Sequence, residues 1–312
     1  MFDMHFHSIA SDWKNSNEEI VNYAFNKSLQ FIALTDHDVI SWEDFINEAA
    51  EKWINSCYST EISARDLKNK KSLHLTCYSR NFWKNIRDIL ENTVEKKQLL
   101  IIKQVEKLKN SGFKIDLNEF LNYFLSMWKK LETLNRYNIW QYIFLTPENR
   151  ILAQKISWKI DINPQSFFEI FLKEVWEQYS KYWLKYWIDV PEYEPNIEIC
   201  WVLARTNNAI ISIAHPNLSF KKEWLEYFKS IYPYYVENWI NWIEINSIAS
   251  KEWIETIYKF REKYGIIITA WSDNHSIWEI DNKHSDLWDL NPLLNQNERS
   301  LILENFKKKL GN

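Results

Sequence analysis

The stretch that decides the fold is Phe31-Ile32-Ala33-Leu34-Thr35-Asp36-His37-Asp38, in which a short apolar run leads directly into carboxylate and imidazole side chains. Such a run, bounded by polar residues, is typical of a buried strand. Upstream, residues 2–7 alternate as a strand does, and residues 17–28 have a helical pattern that begins after Ser16, a good N-cap residue. Strands separated by helices of this length indicate an α/β fold with parallel pairing.

The pattern changes twice along the chain. Further strand patterns lie near residues 57–62, 73–78, 209–214, 243–245 and 266–269, whereas residues 83–188 are almost entirely helical in pattern. We therefore predict one α/β domain, built from residues 1–82 and 189–312, with a helical insertion over residues 83–188. Two separate domains are the alternative, but residues 1–82 would then have to bury their own sheet alone.

Composition excludes several classes of protein. The net charge is −4 and no sustained basic run is present, so a duplex DNA partner is not expected. The three cysteines are far apart and form no CxxC pair, which predicts a reducing compartment and no disulfides. No apolar stretch is long enough to span a membrane, and the first residues lack the pattern of a secretion signal. We expect a cytoplasmic protein with no membrane partner.

Histidine and carboxylate residues concentrate at the ends of the predicted strands. His5 and His7 are two residues apart on a strand, so both rings lie on one face and can reach the same metal site. A lone histidine at a strand end is usually an ordinary polar residue. Chance does not explain so many histidine and carboxylate residues at successive strand ends. The candidate ligands are His5, His7, Asp12, His37, Glu61, His74, His215, Asp273 and His275. Nine mixed ligands predict two or three divalent ions of Zn, Mn or Fe. Asp36 and Asp38, which flank His37, are either residues that orient these ligands or solvated charges.

The order of these motifs resembles that of the PHP (polymerase and histidinol phosphatase) metal-dependent phosphoesterases. The matching motifs are His-x-His, Ser-Asp, Thr-Asp-His-Asp, a strand-end Glu, a later His, Ala-His-Pro and Ser-Asp-x-His, and they extend over nearly the whole chain. The resemblance implies a distorted (β/α)7 barrel in which the same nine residues form a trinuclear site, with manganese among the expected metals. It also implies a hydrolase in which a metal-activated hydroxide attacks phosphorus.

Within that family, an insertion before Ala214-His215-Pro216 is similar to that of the bacterial nucleoside 3′,5′-bisphosphate phosphatases, also described as RNase AM-type 5′→3′ exoribonucleases. Those proteins have Arg-Pro-His-Ile in the insertion, where this chain has Arg136-Tyr137-Asn138-Ile139. The resemblance implies that Arg136 binds a substrate phosphate; the alternative is an ordinary arginine on a helix surface. The implied substrates are small phosphorylated nucleotides or short RNA, with a role in RNA processing. A histidinol-phosphate phosphatase and a non-catalytic metal- or nucleic-acid-binding protein are the alternatives.

Tryptophan and glycine occur in inverted proportions. The chain has three glycines and eighteen tryptophans, whereas a protein of this length ordinarily contains about twenty glycines. Several tryptophans occupy positions where the family motifs or a helix end favour glycine: Trp13, Trp42, Trp53, Trp242 and Trp271. We hypothesise that UGA codons for glycine have been read as tryptophan. The alternative is a tryptophan-rich module that binds carbohydrate or nucleic acid.

Overall fold

The computed structural model describes residues 1–11, 15–40, 43–81, 84–127, 129, 131–158, 161–172, 194–220, 224–238, 240–272 and 290–311. The chain divides into two compact units. The first contains residues 1–91 and 194–312, and the second contains residues 92–193.

The first two strands of the first unit follow the predicted pattern. Strand β1 (Phe2–Phe6) pairs in parallel with β2 (Phe31–Leu34), and helix α1 (Asn17–Asn26) connects them. Ser16 caps α1 as predicted, because its hydroxyl accepts from the Glu19 backbone N–H while the Glu19 side chain accepts from the Ser16 backbone N–H. Helix α2 (Glu43–Glu51) follows β2.

The other five strands of the described chain form a mixed sheet. They are β3 (Tyr58–Asp66), β4 (Lys71–Ser79), β5 (Ile210–Ile213), β6 (Trp242–Asn246) and β7 (Ile267–Trp271), in that spatial order. β5, β6 and β7 are parallel, but β4 runs antiparallel to both of its neighbours, β3 and β5. The expectation of parallel pairing is therefore wrong for β4. Only four residues separate β3 from β4, too few for the crossover that parallel strands need.

The described strands do not close into the predicted (β/α)7 barrel. Their hydrogen-bonded ladders form two sheets, of two and five strands. Local contacts link these sheets: His37 forms an isolated bridge with Glu61, and the Asp3 carboxylate accepts from the Ser272 backbone N–H just after β7. A side chain thus connects β1 with the end of β7. The fold is a mixed α/β fold in which the end of β2 lies beside β3 and β1 lies beside the end of β7.

Helices cover the sheets of the first unit and enclose an apolar core. They are α8 (Ile197–Thr206), α9 (Pro216–Ser219), α10 (Leu225–Glu237), α11 (Lys251–Tyr264) and α12 (Gln296–Leu310). Phe306 on α12 is fully buried and its ring contacts Phe31, Tyr78 and Trp242, so one side chain packs against both sheets. The three cysteines are free and buried, in line with the expectation of no disulfides.

The described part of the second unit is helical. Helix α3 (Lys84–Asn110) starts in the first unit and is followed by α4 (Leu117–Leu125), a 3₁₀ turn (Leu131–Thr133), α5 (Arg136–Phe144), α6 (Pro147–Ser157), α7 (Pro164–Phe167) and a π-helical turn (Phe168–Leu172). Phe113, Phe120 and Phe167 are buried in a core that belongs to this unit alone. Of the helices in the described ranges, none is both long and apolar enough for a membrane span.

Candidate metal centre

His5 and His7 lie where β1 ends. Both side chains are fully buried, and their ring centroids are 5.2 Å apart. Two residues of separation on an extended backbone place both rings on the same side, as predicted. The His7 ring also stacks on the ring of His37, at 4.6 Å between centroids.

Glu61 lies at the centre of the site. Its carboxylate is buried and is surrounded by five imidazole rings. Oε2 lies 3.3 Å from His5 Nε2, 3.4 Å from His7 Nε2 and 3.1 Å from His37 Nδ1, whereas Oε1 lies 3.0 Å from His74 Nδ1 and 2.8 Å from His215 Nε2. Each oxygen thus faces its own set of rings.

The pairing of the strands explains this convergence. The backbone bridge between His37 and Glu61 places the end of β2 beside β3. In the antiparallel β3–β4 pair, Ser63 lies opposite His74, so His74 is a diagonal neighbour of Glu61 on the same face. The Ala214 backbone N–H donates to the His74 carbonyl, which brings His215 to the same edge.

The donor set fits divalent cations. The ligand atoms of His5, His7 and Glu61 lie within 4.8 Å of one another, as do those of His37, Glu61 and His74. The Nε2 atom of His5 is buried and forms no hydrogen bond, although it faces the carboxylate. Imidazole and carboxylate donors suit zinc, manganese or iron. Glu61 belongs to both groups, so these residues would hold more than one cation, and Glu61 would be shared between them.

Electrostatics couple the carboxylate and the rings. Burial lowers the pKa of His5, but the carboxylates of Glu61 and Glu244 outweigh that effect and hold the pKa well above its usual range. Burial raises the pKa of Glu61, but His37, His5 and His74, with the hydrogen bond from His215, hold the pKa well below its usual range. Without a cation, His5 and Glu61 therefore form a pair of opposite charges.

Asp36 and Asp38 are both buried, so the interpretation of them as solvated charges is wrong. The Asp36 carboxylate accepts from the backbone N–H and hydroxyl of Ser8 and from the hydroxyl of Ser11, which anchors the loop after β1. The Asp38 carboxylate accepts from the backbone N–H and hydroxyl of Ser63. Both residues hold segments that carry ligands.

Two further buried carboxylates contact the site, and the sequence patterns do not predict them. Asp3 accepts from the His5 backbone N–H and from the Ser272 hydroxyl. Glu244, on β6, contacts the ring of His5 and accepts from the His215 backbone N–H. The available signal was a single acidic residue inside an otherwise apolar strand, because such a residue is rarely buried without partners.

Six of the nine predicted ligands are therefore brought together, as five histidines around the carboxylate of Glu61. The other three, Asp12, Asp273 and His275, lie outside the described residues, as do Trp13 and Trp42. Trp271 is fully buried, its ring stacks on His5 with centroids 3.9 Å apart, and its buried Nε1 forms no hydrogen bond.

Arg136 belongs to the second unit, as the first residue of α5. Its Nη1 donates to the Leu172 carbonyl, which gives it a structural contact within that unit. Asn138 stands where the resembling proteins have histidine; it is buried and forms a reciprocal cap with Asn135 at the start of α5. In this chain, that position stabilises a helix end.

Comparison with protein-family models and with curated proteins by sequence gives no match. Solved structures do match. One is a protein from Bifidobacterium adolescentis assigned as a metal-dependent phosphoesterase, with 17% identity, a TM-score of 0.63 and coverage of 97% of this chain and 95% of that one. Another is an amidohydrolase from Chromobacterium violaceum with bound sulfate and no metal, with 15% identity, a TM-score of 0.68 and coverage of 99% and 96%. This chain shares the fold of these two proteins over almost its entire length.

Proposed function

We propose that the protein is a metal-dependent phosphoesterase that hydrolyses phosphate esters of small nucleotides. The reactions are removal of the 3′-phosphate from a 3′,5′-bisphosphonucleotide, stepwise 5′→3′ cleavage of short RNA, or both. The observation that carries the proposal is the single buried carboxylate of Glu61, which faces five imidazole nitrogens at 2.8–3.4 Å. The fold shared with a protein assigned as a metal-dependent phosphoesterase supports it.

The chain's own residues would hold two cations side by side. His5, His7 and Oε2 of Glu61 form one group of donors, and His37, His74 and Glu61 form the second. His215, beside Oε1, adds a donor on the side of His74. Bound cations would supply ionised water at neutral pH and positive charge against the phosphate oxygens. The buried carboxylates of Asp36 and Asp38 keep the ligand-bearing segments in place during turnover.

The substrate assignment is tested by an assay of phosphate and nucleotide release. The full chain, loaded with Mn²⁺, is incubated separately with a 3′,5′-bisphosphonucleotide, a short 5′-phosphorylated RNA and histidinol phosphate. We expect turnover of at least one of the first two, and none after the metal is removed with a chelator. Turnover of histidinol phosphate alone would reassign the substrate, and metal binding without any turnover would indicate a non-catalytic protein.

We also propose that glycine stands at many of the tryptophan positions in the protein as its own cell makes it. Trp53 supports this most directly. Its φ is 61°, in the left-handed region, and its backbone N–H donates to Ala50 while that of Ile54 donates to Ala49, which is the Schellman ending of a helix. Its side chain is 92% exposed, so nothing compensates for the backbone strain.

Trp158 follows α6 with the same left-handed backbone, at a φ of 57°, and its side chain is 84% exposed. All three glycines of the chain also have positive φ. Trp242 and Trp271 give no such support, because both are buried and neither has positive φ. The gene decides the matter: UGA codons at positions 53 and 158 are expected, and UGG codons there would refute the proposal.

A further inference from the structure

Glu244 is a buried carboxylate with contacts to two members of the metal centre. It lies in the middle of β6 and has no exposed surface. Both of its carboxylate oxygens lie 3.3 Å from Nδ1 of His5, and Oε2 accepts from the His215 backbone N–H at 3.1 Å. Glu244 therefore lies behind the ligands, on the side of His5 away from Glu61.

Hydroxyl groups from β4 hold this carboxylate in place. The Thr76 hydroxyl donates to Oε1 at 2.7 Å. Tyr78 lies 3.4 Å from the same oxygen, but its single proton goes to the Met4 carbonyl at 2.8 Å. Glu244 is thus fixed by Thr76 and the His215 backbone, and its remaining partner is the His5 ring.

The two nitrogens of His5 have different surroundings. Nδ1 faces Glu244, whereas Nε2 faces Oε2 of Glu61 and forms no hydrogen bond. A carboxylate beside one ring nitrogen keeps the proton on that nitrogen and leaves the lone pair of the other nitrogen available to a metal. The second nitrogen here points into the proposed metal centre.

We propose that Glu244 is a positioning residue of the metal centre. It holds the His5 proton on Nδ1, so that Nε2 is the ligand atom, and it fixes the backbone of His215 at the same time. This inference rests on the proposed function, because it assigns Glu244 a role only if the histidine cluster binds metal. Glu244 itself does not touch the cation or the substrate.

The first test compares the Zn²⁺ affinity of the wild-type chain with that of the Glu244→Gln variant. Glutamine keeps the size of the side chain but has only one acceptor oxygen. We expect binding to weaken by about 10- to 100-fold, the usual effect of losing a partner that orients a metal-binding histidine. Equal affinities would overturn the role of Glu244, whereas a wild-type chain that binds no Zn²⁺ would overturn the proposed metal centre as well.

Asp66→Asn is the matched control. Asp66 is also a buried carboxylate, and its hydrogen bonds come from the Tyr235 hydroxyl and from Asn69. This control is expected to lower the unfolding temperature without weakening Zn²⁺ binding. An equal loss of affinity in both variants would mean that any buried carboxylate has this effect, and would contradict the proposal.

A second measurement locates the His5 proton directly in the wild-type chain. Nitrogen NMR of the histidine rings in the Zn²⁺-loaded wild-type chain reports which nitrogen of His5 carries the proton. The signals are assigned by their absence in His5→Gln. A protonated Nδ1 with Zn²⁺ on Nε2 is expected, whereas a protonated Nε2 would overturn the proposal.

Discussion

The two compact units of the chain bury different kinds of side chain. The first encloses histidines and carboxylates around Glu61, whereas the buried polar residues in the described part of the second are uncharged. Those of the second unit are Thr93, Gln104, Asn138, Asn149 and Ser157. A buried charge is costly unless it is paired, and paired charges are seldom more stable than apolar packing. The second unit shows that this chain can form a core without them, so we attribute the charged interior of the first to the proposed metal centre.

The largest expected effect is on catalysis in the first unit. The His7→Ala variant removes one ring from the group formed with His5 and Glu61. Without this ring the metal would no longer stabilise the transition state by several kcal/mol, so kcat/KM should fall at least about a thousandfold. The far-ultraviolet circular dichroism should be unchanged. Steady-state assays of the Mn²⁺-loaded chain measure this. Retained activity would mean that the polar interior does not serve catalysis.

Removing apolar packing from the second unit should lower stability and leave metal binding unchanged. Phe120 is fully buried and contacts the rings of Phe124 and Tyr142. The Phe120→Ala variant should lower the free energy of unfolding by about 3–5 kcal/mol. Denaturant titration measures the loss, and Zn²⁺ titration of the folded variant should give the wild-type affinity. Weakened metal binding would show that the two interiors are not functionally separate.

Metal affinity should depend on pH. Since the carboxylates around His5 raise its pKa, protons compete with a cation for the ring, and a cation that binds there must displace one. Raising the pH makes the proton easier to remove, so binding should tighten by about tenfold per pH unit for each proton released. Zn²⁺ titrations at about pH 6 and about pH 8 test whether the affinity rises with pH. Affinity that is unchanged or weaker at the higher pH would contradict it.

For Arg136, in the second unit, the family resemblance implies a phosphate-binding role, whereas the structure shows a contact with the Leu172 carbonyl. If it binds a substrate phosphate, the Arg136→Ala variant should raise KM about tenfold, the effect of one charge-assisted hydrogen bond, and Arg136→Lys should recover only part of the loss. If its contact with the Leu172 carbonyl is its whole role, stability falls slightly and KM does not change. Phosphate-release kinetics, together with thermal unfolding of the same samples, distinguish the two.

The smallest expected effect lies at the helix ends. Trp53→Gly and Trp158→Gly should each stabilise the chain by about 1 kcal/mol, because glycine adopts positive φ without strain. Gly265, which ends α11 at a φ of 66°, shows the same backbone with the residue that suits it. Trp53→Ala is the matched control, since alanine removes the exposed ring but keeps the Cβ. Equal unfolding free energies for the glycine and alanine variants would refute the strain argument.

Local signals predicted the parts of the fold that depend on nearby residues. Ser16 and Glu19 are three residues apart and cap α1, and the position of Trp53 after a helical pattern indicated its left-handed backbone. The six ligands that come together were predicted because each stands in or directly after a strand. Residue type and position along the chain were sufficient to predict these ligands, without knowledge of how the strands pair.

Contacts between distant segments were not predictable in this way. The β3–β4 hairpin was missed because its turn, residues 67–70, has no glycine; Asp66 holds it by accepting from the Asn69 backbone and side chain. Glu244 was missed because Thr76, which fixes it, lies 168 residues away in sequence. A single acidic residue inside an apolar strand indicates a buried carboxylate, but no local pattern identifies its distant partners.

The most direct measurement is the metal content of the chain. The wild-type protein and the Glu61→Ala variant are reconstituted with Mn²⁺, freed of excess metal by dialysis and analysed by elemental mass spectrometry. Because both groups of donors share Glu61, we predict two or three ions per wild-type chain and fewer than one per variant chain. A wild-type chain without bound metal, or a variant with the full wild-type content, would contradict the metal centre.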